Sequence, residues 1–396
     1  MRKCSIITVY IVSKGGAGMD FKHLKIGLLG FGSMGRAHSY AIKNLPFFYT
    51  ELPFSAEIVG VCTTSMEKAE KVCREFGFSV PTVSEDDLLL SPDVDIIDIC
   101  TPNIYHYDTL KKALLAGKHI YCEKPLCVSA AQAHEIALLA EKSGKIHKIV
   151  FNNRYIPAVM RAKELIEEGR LGRLLSFDAA YLHSSSVFTE RNAGWKQNKD
   201  ICGGGVLFDL GSHVIDMIYH LCGNFHSVCA TTQIAFPTRT GMDGKPWQTN
   251  ADEAFYMLAK LSCGAMGTLR ASKISCGAND DLFFEIYGEK GALKYSLMEP
   301  NWLWFYDNTK EEKALGGERG FTKIEAAGRY ALPGGIFPSP KAPIGWLSGH
   351  VESYRDFLNS VSKETQSNPN FFDAAYVQKI MEAAYLSAEQ GVWMEI

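Results

Sequence analysis

The stretch GLLGFGSMGRAH, residues 27–38, constrains the fold more than any other part of the chain. It places glycines at 30, 32 and 35, after the apolar run KIGLLG (25–30) and at the head of a helical pattern over 34–45. A turn of this spacing between a strand and a helix is the mark of a dinucleotide-binding βαβ unit. Gly30 permits the tight turn, Gly32 lets the backbone approach a pyrophosphate, and Gly35 lets helix and strand pack closely. Phe31, Ser33 and Met34 complete the loop. The helix N-terminus then offers N–H groups and a partial positive charge to the phosphates.

The alternation continues downstream. Apolar, β-branched runs at 56–62, 94–100, 118–122 and 147–151 are separated by helical patterns at 65–76, 104–116 and 129–143, with Ser65 and Ser129 placed as N-caps. Near-continuous apolar runs between helices predict a buried parallel sheet with helices on both faces. After about residue 152 the pattern changes. A helix at 157–168 and the segment RLLSFDAAYLHSS precede a helix carrying GGGVLFDLGSHVID (203–216). Strand-like segments follow at 226–236, 253–261, 265–274, 281–288 and 291–297, with turns at Gly264 and at Glu289-Lys290-Gly291. Strands without intervening helices predict a mostly antiparallel sheet. Residues 308–347, rich in Gly, Pro, Lys and Glu, read as a long surface excursion, and helices at 349–363 and 373–390 close the chain. The expected fold class is α/β: an N-terminal Rossmann doubly wound parallel sheet over 19–150, and over 151–396 a C-terminal α+β domain with a large, mostly antiparallel open sheet.

Composition narrows the partners. Hydrophobic residues make up 46% and charged residues 21% of the 396, and the net charge is −3 with no basic stripe. Nucleic acid and anionic membrane are therefore not expected partners. No apolar run is long enough to span a bilayer. The eleven cysteines contain no C-x-x-C pair, and Cys62, Cys100 and Cys122 lie inside apolar runs, where reduced cysteine acts as a small hydrophobe. That usage predicts a reducing, cytoplasmic setting. Residues 1–18 carry two basic residues and a short apolar run but no small-residue cleavage site. They read as a non-native or disordered extension before Met19, with a weak signal peptide as the alternative.

The end of the second strand, where an acid or an arginine usually selects the cofactor, holds Thr63, Thr64 and Ser65. Neither NAD nor NADP is selected there by a full charge.

Three motifs combine with the glycine turn: T-P-N-x-x-H at 101–106, E-K-P at 123–125 and G-G-G-x-x-x-D-x-G-x-H at 203–213. From about Lys25 to the C-terminal helix the chain resembles the Gfo/Idh/MocA family of sugar and polyol oxidoreductases. The resemblance implies a nicotinamide cofactor, NAD or NADP with a lean to NAD, and a small sugar or polyol as substrate. It also implies a homodimer or homotetramer built through the C-terminal sheet. Position by position, Thr101, Pro102, Asn103 and His106 would lie beside the cofactor's ribose and nicotinamide, with Glu123 close by. Lys124 would reach the substrate hydroxyl, and Asp209 and His213 would be the catalytic pair. Trp195, His183 and Arg154 join the substrate wall. Asn153 stands where many members have tyrosine, and the acid after the second strand is missing.

Elementary chemistry fits these assignments. Oxidising an alcohol needs a base for the hydroxyl proton, expected to be His213. Lys124 would place positive charge where alkoxide character develops. Asp209, one helical turn before His213, would orient the imidazole or hold a neighbouring hydroxyl. Asp216 extends the same spacing, so Asp209, His213 and Asp216 make a conceivable metal set. No Cys or Glu completes it, and hydride transfer needs no metal, so none is expected. Two other functions share these features. One is an NAD-dependent glycosidase working by transient oxidation and elimination. The other is a non-catalytic dinucleotide-binding sensor, which would be free to lose the Lys–Asp–His set that this chain retains.

Overall fold

The computed structural model describes residues 21–49, 51–190, 193–241, 243–330 and 337–396, so the extension expected over 1–18 lies outside the described residues. Six parallel strands form the first sheet: β1 (Lys22–Leu29), β2 (Phe54–Cys62), β3 (Val80–Thr82), β4 (Ile96–Ile99), β5 (His119–Cys122) and β6 (His147–Ile149). Their order is β3-β2-β1-β4-β5-β6, the doubly wound arrangement in which the strand order reverses beside β1. Helices α1 (Ser33–Phe48), α2 (Met66–Phe76), α3 (Asp86–Leu89), α4 (His106–Leu115) and α5 (Ala130–Ser143) connect them. Ser65 and Ser129 cap α2 and α5 as expected, each side chain accepting an N–H from the first turn. Gly77 and Gly144 close the same helices in the left-handed conformation. The sequence reading missed β3 and α3. Three residues around Pro81 are too few to show a period, and a proline is tolerated there only because the strand lies at the sheet edge.

The second half adds α6 (Pro157–Glu167) and then β7 (Leu174–Leu182). Next come α7 (Lys199–Cys202), a π-helical turn over Leu207–Gly211, and α8 (Ser212–Cys222). The remaining strands are β8 (Phe225–Gln233), β9 (Thr238–Thr240), β10 (Pro246–Gln248), β11 (Ala254–Leu261), β12 (Met266–Ser272), β13 (Asp281–Gly288), β14 (Gly291–Ser296), β15 (Trp302–Asp307), β16 (Phe321–Glu325) and β17 (Met394–Glu395). Eight of them join β7 in one nine-stranded sheet, β16-β15-β14-β13-β7-β12-β11-β8-β17, antiparallel except where β7 runs parallel to β12. Strand β11 alternates buried and exposed residues, so one face packs on the core helices and the other carries Tyr256 and Leu258 outward. The excursion expected over 308–347 contains β16, which pairs with β15 and extends the sheet.

Two helices end the chain, α9 (Trp346–Lys363) and α10 (Phe371–Gln390). Val351, Tyr354, Phe357, Leu358 and Val361 of α9 bury against Leu24, Ile26, Leu28 and Ile42. A boundary drawn at 150 therefore assigns α9 to one half by sequence, while its apolar face covers the nucleotide-binding sheet. The helical stretch Lys199–Cys222 is long and apolar enough by composition to cross a membrane, contrary to the expectation that no run is, but 83% of its apolar 18-residue window is buried inside the protein, as in a core helix.

Candidate active site

The carboxyl ends of the parallel strands face the second half of the chain across a cavity of about 1400 Å3. At one end lies the glycine turn. Gly30 has φ +90, and a Cβ there would stand 2.7 Å from the Cys100 carbonyl oxygen. A Cβ on Gly35 would meet the Gly30 carbonyl oxygen at 2.4 Å, so helix and turn touch backbone to backbone. At Gly32 nothing lies within 4 Å. The open position is the one a pyrophosphate needs, and the two closed ones set the turn. The residues present thus fit a dinucleotide.

Phe31, Ser33, Met34, Thr63, Thr64, Thr101, Pro102 and Asn103 all line this part of the cavity, as expected. Two expected contributors stand back from the wall. Ser65 turns its hydroxyl to the Lys68 N–H as the N-cap of α2. His106 is fully buried, its ring nitrogens 3.0 and 2.9 Å from the carbonyl oxygens of Pro125 and Thr101, so it ties the T-P-N loop to the E-K-P loop. Lys68, exposed on the first turn of α2, also lines the cavity; it lies beyond the strand end where a cofactor-selecting residue is expected, so its role is not legible from the sequence.

Glu123 and Lys124 follow β5 at the middle of the cavity. Beneath them His38 of α1 places Nδ1 2.9 Å from Asp98 and Nε2 3.1 Å from Glu123. Two carboxylate acceptors require two N–H donors, so this imidazole is cationic. Burial opposes that charge, but Asp98 outweighs it and raises the His38 pKa well above the usual value. Burial would likewise raise Glu123, but the hydrogen bond and charge of His38 bring its carboxyl down to about 2. Its other oxygen accepts the Lys124 N–H at 3.1 Å. The network fixes the backbone from which Lys124 projects.

The helix carrying Asp209 and His213 starts against β11. Asp252 accepts the Gly205 N–H at 2.9 Å and the Leu207 N–H at 3.0 Å, satisfying donors that the helix start leaves unpaired. A Cβ on Gly205 would stand 2.1 Å from the Asp252 carbonyl oxygen, so the glycine run admits the segment that leads into β11 as well as bordering the cavity. The π turn spans Asp209, a distortion common at functional sites.

Asp209 faces three lysines. Its Oδ1 accepts from Lys124 at 2.9 Å and from Lys196 at 3.0 Å, and Lys273 lies 2.9 Å from Oδ2. Burial would raise its pKa, but Lys124, Lys196 and Lys273 hold it well below the carboxylate range. For Lys124, burial lowers the pKa, Asp209 opposes, and Lys196 lowers it further. His213 forms no hydrogen bond with Asp209 among the described residues. Its ring packs edge-on against Phe151 and Tyr181, and Nδ1 has no partner. Burial and the Lys124 charge push its pKa to about 3, so the imidazole is neutral. The expectation that Asp209 orients the imidazole is therefore corrected: it anchors lysines. Lys196 adjoins Trp195 and Lys273 adjoins no motif, and neither is legible as a partner of Asp209, because only the tertiary fold brings them to it.

Trp195 and His183 line the cavity as expected, and Asp280 holds His183 Nε2 at 2.8 Å. Arg154 does not. It is 8% exposed and pairs with Asp216, Nε to Oδ2 at 2.9 Å and Nη2 to Oδ1 at 2.5 Å. This removes Arg154 from the substrate wall and Asp216 from any set with Asp209 and His213. A step of three residues turns 60° short of a full circle, and Asp216 thereby faces the Arg154 side.

The descriptions "Oxidoreductase family, NAD-binding Rossmann fold" and "Oxidoreductase family, C-terminal alpha/beta domain" match residues 24–151 and 163–396 respectively. The chain belongs to the Gfo/Idh/MocA oxidoreductase family. Among its relatives, levoglucosan dehydrogenase of Pseudarthrobacter phenanthrenivorans is 29% identical over 95% of this chain and 98% of its own. D-glucoside 3-dehydrogenase of Escherichia coli is 24% identical over 96% and 99%. A solved structure, "Levoglucosan dehydrogenase, complex with NADH and levoglucosan", is 30% identical with a TM-score of 0.90, covering 94% of this chain and 99% of the other. As a Gfo/Idh/MocA member the protein is an NAD(P)-dependent oxidoreductase. Its parallel sheet belongs to the NAD-binding Rossmann domain, and its large mixed sheet backs the other end of the cavity.

Proposed function

We propose that this enzyme oxidises a ring secondary hydroxyl of a glucopyranose-type sugar with NAD, and that Lys124 accepts the hydroxyl proton. The observation that carries the reading is the convergence of Lys124, Asp209 and neutral His213 in the same cavity that opens at the glycine turn. When bound, the nicotinamide supplies hydride chemistry at the sugar carbon. The chain's residues do the rest.

Among the nitrogen bases that line the cavity, Lys124 and His213 are the two that the motifs bring to the substrate hydroxyl. A base works best with a pKa near the working pH, and an imidazole at about 3 is far below it. Lysine lowered by burial approaches from above. The roles expected from sequence are therefore exchanged. Lys124 takes the proton, and neutral His213 hydrogen-bonds the hydroxyl and holds it. Asp209 fixes the lysine amine, and the adjoining Trp195 and His183 border the sugar. The ring position is supported by the relative named for position 3 of glucosides. The outward face of the large sheet, with Tyr256, Leu258 and Met266 about half exposed, supports a homodimer or homotetramer through that face. Free cysteines throughout the described residues support a cytoplasmic setting.

The test is turnover of methyl glucosides carrying deuterium at single ring positions, with NMR of the nicotinamide product. Deuterium should reach the nicotinamide ring only from position 3. Transfer from another carbon would overturn the position, and aglycone release without net NADH would overturn the reaction.

A further inference from the structure

One carboxylate serves three ammonium groups in this site, and they arrive from three separate elements. Lys124 follows β5, Lys196 sits on the single turn Trp195–Gln197, and Lys273 follows β12. Lys124 and Lys196 share the same oxygen, Oδ1, at 2.9 and 3.0 Å, so their charges stand no more than about 6 Å apart. Lys196 also reaches Oδ2 at 3.0 Å, spanning the carboxylate from the solvent side with 48% of its side chain exposed. Lys124 is 12% exposed. The other charged groups facing this centre are largely committed elsewhere. Glu123 is answered by His38, Asp280 by His183 and Tyr181, and His213 is neutral. Lys273 occupies the far oxygen.

We propose that Lys196 is a positioning residue that acts through Asp209: by gripping that carboxylate it weakens Asp209's hold on the Lys124 proton and frees the Lys124 amine to receive the substrate's hydroxyl proton. Three cations around one carboxylate, two of them largely buried, favour release of a proton, and the desolvated member shared with a competitor yields it before the solvated one. The lowering of Lys124 by Lys196, and the raising of Lys196 by Asp209, follow the same direction. The proton balance is simple: the amine lone pair of Lys124 takes the hydroxyl proton and becomes ammonium, and the carbinol hydride leaves with its electron pair to the nicotinamide. The inference rests on Lys124 as the proton acceptor.

The test uses the full chain with Lys196→Met and Lys196→Arg. The rate at which an acetylating reagent modifies Lys124 is followed against pH by mass spectrometry of its peptide, without substrate. The Lys196→Met midpoint should rise by about one pH unit, the interaction of two charges at this separation discounted for solvent at Lys196. Lys196→Arg, which keeps the charge, should track the parent. In turnover, neutral Lys124 is the active form, so the acidic limb of kcat/KM, which reports the enzyme before sugar binds, should move up by the same amount in Lys196→Met. An unmoved midpoint, or an equal shift in both variants, overturns the proposal. So does a raised KM with an unmoved limb, which would make Lys196 a substrate contact. Because acetylation needs no sugar, failure to oxidise any glucoside would count against the proposed function and leave this result separate.

Discussion

Arg154→Met is the perturbation whose outcome separates a structural arginine from a substrate-binding one. Arg154 gives Asp216 three contacts at 2.5 to 3.2 Å, and a second carboxylate oxygen, on Asp373, lies 3.8 Å away. Arg154 and Asp216 are 8% and 2% exposed. Even with the arginine present, burial lifts the Asp216 pKa to about 6. Methionine fills much of the arginine's volume but leaves the Asp216 charge buried beside Asp373. Removing one partner of a buried pair costs roughly 3–5 kcal/mol. For a chain of 396 residues that lowers the melting temperature by about 4–6 °C. The assay is thermal unfolding with saturating NAD, beside KM for a turned-over glucoside. KM should stay within about twofold, because Arg154 does not line the cavity. Arg154→Met/Asp216→Leu removes both charges and should recover most of the loss. The single variant's deficit should shrink as the pH falls from about 8 to 6, since protonating Asp216 removes the stranded charge. A KM raised about tenfold with an unchanged melting temperature would refute this reasoning.

Three further outcomes are expected. Gly32→Ala should leave the melting temperature unchanged and weaken NAD binding, because its Cβ enters open space where a phosphate belongs; Gly35→Ala, aimed at the Gly30 carbonyl oxygen 2.4 Å away, should lower both, as unfolding curves and NAD titrations will show. Buried His147, His213 and His350 have pKa values of about 4, 3 and 3, so the unfolded chain gains protons that the folded one does not as pH falls below 6.5. Each should withdraw about 2 kcal/mol by pH 5, and a melting temperature constant from pH 7.5 to 5 would contradict this. Lys68→Ala should reduce NADP affinity more than NAD affinity, since Lys68 is the exposed cation at the cavity wall after β2, and equal losses in parallel titrations would show that it does not read the ribose.

Much of this site is local in sequence, and that part was legible. The glycine turn, the T-P-N and E-K-P loops and the Asp209–His213 spacing each need only neighbouring residues to take shape. What long-range packing decides was not. Lys196 and Lys273 reach Asp209 only after strand and loop have folded around it. Arg154 lies in the bridging segment FNNRYIPAV, yet its guanidinium turns to Asp216, 62 residues away. The base assignment shifted for the same reason: His213 is the usual choice by residue type, but the degree of its burial is a tertiary fact. In the fold, long periodic elements stood out, while β3 and α3 were too short to show a period. The covering of the nucleotide-binding sheet by α9 is a contact across some 300 residues, which no local pattern encodes.

The central claim is that Lys124 receives the hydroxyl proton of a sugar held between it and His213. A structure of the complex with NADH and a methyl glucopyranoside tests it most directly. One ring hydroxyl should lie within about 2.6–3.2 Å of both Lys124 Nζ and a His213 ring nitrogen, on the carbon that faces the nicotinamide. A sugar whose facing hydroxyl meets His213 or another group while Lys124 remains wholly engaged with Asp209 would contradict it.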